Sequence, residues 1–305
     1  MTIKGWGGKA ARGLALAGLV AGSALTFGAP NASAAHHSGL VIAHRGGSDA
    51  APESTLAAFG HAMRAGADGI EFDVRFTRDR VPVLMHDTTM DRTTNCRGSV
   101  SRFTYRQIER CDAGSWFSHR FRGERVPSLE TALAYIRSHS STERVFVHVK
   151  DSGMAEAGSI VNAISRQHMD NDRTTVIATT EDILRSMRAA GAGRVGYVFN
   201  NPSGWNTNWP VLIPYDTSVS RGLVDRAERR GAEVFAVQDH PSSLGRIFSL
   251  GLDGVLANDL NEALAMMDGS GHVSSHSSGH RHSHAGHGGG GSHGHGGGGG
   301  GGGGF

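Results

Sequence analysis

Lysine is nearly absent from this 305-residue chain, which has three, Lys4, Lys9 and Lys150. Arginine carries the remaining basic charge, and it forms no stripe of the kind a nucleic-acid-binding domain presents. No nucleic-acid partner is expected. Cysteine is equally scarce, with Cys96 and Cys111 alone. Long apolar sequence is missing too: the run at residues 14–27 has 14 positions, short of the roughly 20 that span a bilayer. No twin arginine precedes that run.

What is present there reads as an export signal. Lys4, Lys9 and Arg12 form a basic start, the apolar run follows, and Ala32-Ser33-Ala34 offers a small-residue cleavage site. A cleavable signal peptide over residues 1–34 and a secreted protein are expected. Its removal takes away three basic residues and no acidic ones, so the formal +2 of the chain becomes about −1. Export makes a Cys96–Cys111 disulfide the default, with two free thiols or a Cys–His metal site as rivals. Beyond residue 267 the composition turns to Gly, His and Ser, with eight histidines and a closing run of nine glycines. Residues 268–305 cannot bury apolar surface and read as a disordered tail with affinity for Zn²⁺, Ni²⁺ or Cu²⁺.

Residues 35–267 suffice for one large domain. Short apolar runs alternate with amphipathic helical stretches, the pattern of βα units around a parallel sheet. The runs are 40–43, 69–74, 82–85, 145–150, 174–178, 195–199, 211–213, 233–238 and 254–257, nine for the eight places of a barrel. The run at 211–213 follows its predecessor with no helical pattern between, and is assigned as an extension or loop strand. Helices are expected at 52–65, 128–138, 181–190, 219–230 and 242–250. The fold class is α/β, a (β/α)8 TIM barrel, with an insertion at about 88–127 after the third strand. Gly191-Ala192-Gly193-Arg194-Val195-Gly196 has dinucleotide-loop spacing, but it follows a helix and precedes a strand, the reverse of that context. It is read as a helix cap and turn.

The first three runs each end in ionisable side chains: His44 and Arg45, Glu71 and Asp73, His86 and Asp87. Alternate strand residues share a face, so Glu71 and Asp73 point together, as do His148 and Lys150. Two carboxylates suit a hard divalent cation. Imidazole as a side-chain type titrates near neutrality, so His44 and His86 are candidates for acid–base work. Arg45 and Lys150 are candidate phosphate binders. Glu53 is a weaker candidate for metal or glycerol contact, or a first-turn acid favoured by the helix dipole.

His44-Arg45-Gly46-Gly47 followed by Pro52-Glu53-Ser54-Thr55, then Glu71-x-Asp73 and His86-Asp87, resembles the glycerophosphodiester phosphodiesterase family. The resemblance implies a TIM-barrel hydrolase of glycerophosphodiesters that releases glycerol 3-phosphate and an alcohol. It implies His44 and His86 as the acid–base pair, Glu71 and Asp73 as ligands of Ca²⁺ or Mg²⁺, and Arg45 and Lys150 as phosphate binders. Three positions depart from the family pattern. His148 stands where a third acidic ligand is usual, which favours Zn²⁺ or Mn²⁺. Phe235-Ala236-Val237-Gln238 replaces a Trp-containing pattern whose ring lines the pocket, and Ser54 replaces Asn. Two other functions remain open: a lysophospholipase D or sphingomyelinase D-like enzyme forming a cyclic phosphate, and a non-catalytic metal- or phosphate-binding protein. An open apolar mouth of Trp116, Phe117, Trp205 and Trp209 would support the first of these, with lysolipid substrates and transient membrane-surface contact. A monomer is expected.

Overall fold

The computed structural model describes residues 39–139, 144–151, 154–170, 172–200 and 208–268. The expected signal peptide, the His-rich tail from residue 269 and Trp205 lie outside the described residues.

Among the described residues nine strands form, β1 (Leu40–Ala43), β2 (Gly69–Phe76), β3 (Pro82–Leu84), β4 (Arg144–Val149), β5 (Thr174–Ala178), β6 (Val195–Phe199), β7 (Val211–Pro214), β8 (Glu233–Val237) and β9 (Gly254–Ala257). Eight of them pair in parallel in the order β1-β9-β8-β7-β6-β5-β4-β2, and β1 returns to β2 to close the barrel. The run at 211 is therefore a barrel strand, hydrogen-bonded in parallel to β6 and β8. The supernumerary one is β3, which pairs antiparallel with the overhanging end of β2, Val74 opposite Leu84. The reason is loop length. The turn at 77–81, closed by Thr77 N–H to Val81 O at 3.1 Å, is too short for a parallel crossover, which needs about a dozen residues.

The helices are α1 (Leu56–Ala65), α2 (Tyr105–Ile108), α3 (Leu129–His139), α4 (Met154–Arg166), α5 (Glu181–Ala189), α6 (Arg221–Glu228), α7 (Leu244–Ser249) and α8 (Leu260–Met267). The expectation lacked α2, α4 and α8. It also began α1 at Pro52, whereas Thr55 caps that helix through Ala58 N–H and leaves Glu53 in the preceding loop. Between helices and barrel lies the main core, with Ile70, Phe72, Val74, Val145, Val147 and Val149 buried in it. A second core fills the barrel: Ile42, Phe146, Ile177, Val198, Val211, Ile213, Phe235, Val237 and Leu256. Strand alternation thus sends one set of side chains out and the other in. The inward set of β2 is Glu71 and Asp73.

Between β3 and α3 the chain forms a cap with its own small core of Val83, Met85, Met90, Val100, Ile108, Cys111, Ala113 and Val126. Cys96 and Cys111 are joined in a disulfide, Cα–Cα 5.7 Å. Asp112 accepts hydrogen bonds from the backbone N–H of Gly114, Ser115 and Gly123 and from the Ser115 hydroxyl. It replaces the missing secondary structure as an organiser of this loop.

Candidate active site

The mouth at the strand C-terminal ends is assembled by register. Parallel pairing sets Asp73 of β2 beside His148 of β4. Ala43 of β1 pairs with Ala257 of β9, so the next residues, His44 and Asn258, meet. Gly46 and Gly47 follow with φ of 83° and 88°. A Cβ on Gly46 would stand 2.5 Å from the Phe59 ring, so the H-R-G-G turn needs glycine there. The turn aims the Arg45 N–H at Glu71 Oε2, 3.0 Å away.

Glu71 and Asp73 are wholly buried, and His148 is 5% exposed. His148 Nδ1 lies 3.5 Å from Glu71 Oε1 and 3.2 Å from Asp73 Oδ1. Lys150 Nζ stands 2.9 Å from Asp73 Oδ1, and Arg45 Nε 3.6 Å from Asp73 Oδ2. Burial and mutual repulsion oppose ionisation of Glu71, yet His44 and His148 outweigh both and its pKa falls below the usual carboxylate value. Burial likewise opposes ionisation of Asp73, but His148 and Lys150 hold its pKa well down. Burial disfavours the imidazolium of His148, and the two carboxylates overcome it and raise its pKa.

Cationic neighbours do not exhaust these acceptors. Both Asp73 oxygens, Glu71 Oε1 and His148 Nε2 make no well-directed hydrogen bond, although Lys150 is close. One donor atom each from Glu71, Asp73 and His148 lies within 4.8 Å of the others, and all three residues are buried. Orphaned buried polar atoms in a mixed oxygen–nitrogen set, with His148 neutral when it ligates, fit a divalent cation. His44, Arg45, Glu71, Asp73, His148 and Lys150 therefore form one contact network.

The two expected acid–base histidines sit differently. His44 Nδ1 meets Asn258 Oδ1 at 2.6 Å. The Asn258 amide donates to the backbone O of Gln238, which fixes its carbonyl toward the ring. His44 therefore donates from Nδ1 and presents Nε2 inward, 3.6 Å from Glu71 Oε2. His86 is joined to that network only indirectly, through Asp87, Arg92 and Glu53 to Arg45. It follows the antiparallel β3, donates from Nδ1 to Asp87 Oδ1 at 2.8 Å, and has its carbonyl held by Arg75 Nε at 2.9 Å. Burial lowers its pKa, with Asp73 and Asp87 opposing and Arg45 and Lys150 reinforcing.

Asn258 and Arg92 were missed from the sequence, and Gln238 was read only as the end of a strand pattern. Asn258 had a legible signal, a polar residue directly after the strand Gly254–Ala257. Two pocket expectations are corrected. Trp209 is 6% exposed, at the strand N-terminal end before β7, packed into the helix–barrel core beneath Arg188. Phe235 is fully buried against Phe146 inside the barrel, ring centroids 4.9 Å apart, and lines no mouth. Trp116, on the cap, is 40% exposed, the one large hydrophobic side chain so exposed among the described residues.

Residues 44–262 match the glycerophosphoryl diester phosphodiesterase family. A glycerophosphodiester phosphodiesterase from Caldanaerobacter subterraneus subsp. tengcongensis is 31% identical over 233 residues, 72% of this chain and 94% of that protein. Human glycerophosphodiester phosphodiesterase 1 is 41% identical over 185 residues, 58% of this chain and 54% of the human one. Among solved structures, a phosphodiesterase from Oleispira antarctica in complex with the product sn-glycerol-3-phosphate aligns with TM-score 0.69 and 25% identity, covering 75% of this chain and 96% of that one.

Proposed function

The chain belongs to the glycerophosphoryl diester phosphodiesterase family and is a phosphoric diester hydrolase, and from that premise we propose a metal-dependent reaction with His44 and His86 as the acid–base pair. The observation that carries it is the barrel mouth, where an imidazole with a fixed tautomer, two buried carboxylates, an arginine and the one lysine beyond the export signal converge. The substrate is a glycerophosphodiester, and the products are glycerol 3-phosphate and an alcohol. The Oleispira relative's bound product supports that choice.

Glu71, Asp73 and His148 would hold the cation, which when bound supplies Lewis-acid polarisation of the phosphate and charge neutralisation. Arg45 and Lys150 bind the non-bridging phosphate oxygens and orient the diester. One imidazole takes the proton of the attacking hydroxyl or water as the new P–O bond forms. The other protonates the alkoxide as its P–O bond breaks. Each is held through Nδ1 and works through Nε2. Such positioned proton transfer contributes about 10²–10⁴-fold. Lys4, Lys9, Arg12 and Ala34, together with the formed disulfide, support export.

The test takes protein recovered from culture medium, whose N-terminus is sequenced to check cleavage after Ala34. It is stripped with chelator, given back single metals, and mixed with glycerophosphocholine or lysophosphatidylcholine under ³¹P NMR. Glycerol 3-phosphate is expected from the former, with a divalent ion only. Turnover in excess chelator would remove the metal, and a cyclic phosphate as end product would replace hydrolysis by cyclisation.

A further inference from the structure

Arg92 lies in the cap, outside every motif assigned above, yet its guanidinium is engaged on two sides. NH1 and NH2 donate to the two oxygens of Glu53, both at 2.8 Å. Nε and NH2 donate to Asp87 at 2.7 and 3.1 Å. An arginine has five N–H donors, so four are committed to protein carboxylates. That leaves Arg92 poorly equipped to receive a phosphate and well equipped to set the distance between the two acids.

Both acids lead to the reacting groups. Asp87 accepts from His86 Nδ1. Glu53, its side chain 8% exposed, also pairs with Arg45 NH1 at 3.4 Å. Arg45, Glu53, Arg92, Asp87 and His86 therefore form one continuous chain of charged contacts. It runs from the barrel's phosphate-binding arginine to the histidine that the barrel does not carry. Barrel strands are paired on both sides, whereas β3 is a three-residue edge strand paired to β2 and is followed directly by Met85 and His86. A bidentate fork gives orientation as well as attraction, which suits a histidine whose side chain no barrel strand orients.

We propose that Arg92 is a positioning residue for the phosphodiesterase reaction: its fork on Glu53 and Asp87 locks the His86 imidazole in register with Arg45. The proposal rests on the acid–base reading of His86.

Kinetics of Arg92→Ala, Arg92→Lys, His86→Gln and the Arg92→Ala/His86→Gln double variant on glycerophosphocholine test it. Arg92→Ala should lower kcat by about 30- to 100-fold with KM within about threefold, because orientation is lost and phosphate binding is not. Arg92→Lys, which keeps charge without the fork, should recover less than a third of that loss, and added guanidinium ion should restore Arg92→Ala in part. In the His86→Gln background, Arg92→Ala should cost less than threefold. A full, multiplicative loss in the double variant overturns the clamp while leaving His86 catalytic. A His86→Gln enzyme of near wild-type rate overturns the acid–base reading itself, and the clamp with it. Should Arg92→Ala not fold, Arg92→Lys in both backgrounds gives the same cycle.

Discussion

The barrel and the cap solve the same problem, holding polar side chains at a fixed place, by opposite means. In the barrel, ladder register does it. Asp73 stands beside His148 because β2 and β4 pair over six consecutive residues, and both partners are buried on an apolar bed of Phe146 and its neighbours. The cap has no such ladder. Its elements are a four-residue helix and two three-residue 3₁₀ turns, and its order comes from a small apolar core, Asp112, one disulfide and the Arg92 fork. Rigid strand ends suit the paired carboxylates Glu71 and Asp73, whose mutual repulsion needs a frame that does not yield. A cap loop with a small core and a few polar contacts suits the role proposed for His86, which would meet a substrate arriving from solvent.

The comparison is broken most strongly by reducing the disulfide. Closing a 15-residue separation is worth roughly 3 kcal/mol in the chain-entropy model. With dithiothreitol, kcat should fall at least about tenfold while far-UV circular dichroism keeps the barrel signal. Equal loss of both would show that cap and barrel melt as one unit.

On the barrel side, His148→Glu would make the proposed cation site all-oxygen. Affinity for Ca²⁺ or Mg²⁺ relative to Zn²⁺ should rise by about 10- to 100-fold, read by add-back titration after chelation, with the melting temperature of the cap unchanged. An unaltered metal profile would mean that His148 is no ligand.

The smallest effect concerns the loop between β1 and α1. Ser54 holds φ of 57° without being glycine, and its buried hydroxyl has no hydrogen-bond partner. Ser54→Asn places a residue that tolerates the left-handed region, and a gain of roughly 0.5–1 kcal/mol is expected in thermal melts. A lower Tm would show that the added amide has no room beside Glu53 and Thr55.

Much of the barrel was legible because strand periodicity is local. Leu40–Ala43, Thr174–Ala178, Val195–Phe199 and Gly254–Ala257 match their apolar runs residue for residue. The helix α4 was not read, although its apolar positions form a face. The exchange of roles between β3 and β7 was an error of connectivity: run lengths were alike, and loop length, five residues against eleven, was the discriminating signal. Trp209 and Phe235 looked like mouth residues by type, and burial placed both in the cores.

The sequence by itself determined which side chains share a face, since the two-residue repeat is a property of the extended backbone. Glu71 with Asp73, and His148 with Lys150, follow from it. Tertiary structure decided which faces meet. His44 and Asn258 are 214 residues apart, and Arg92 reaches Glu53 across 39. Such contacts arise from sheet closure and loop packing, which no local repeat encodes. The barrel half of the site was written in its strands, and the half that holds His86 existed only once the cap had folded onto them.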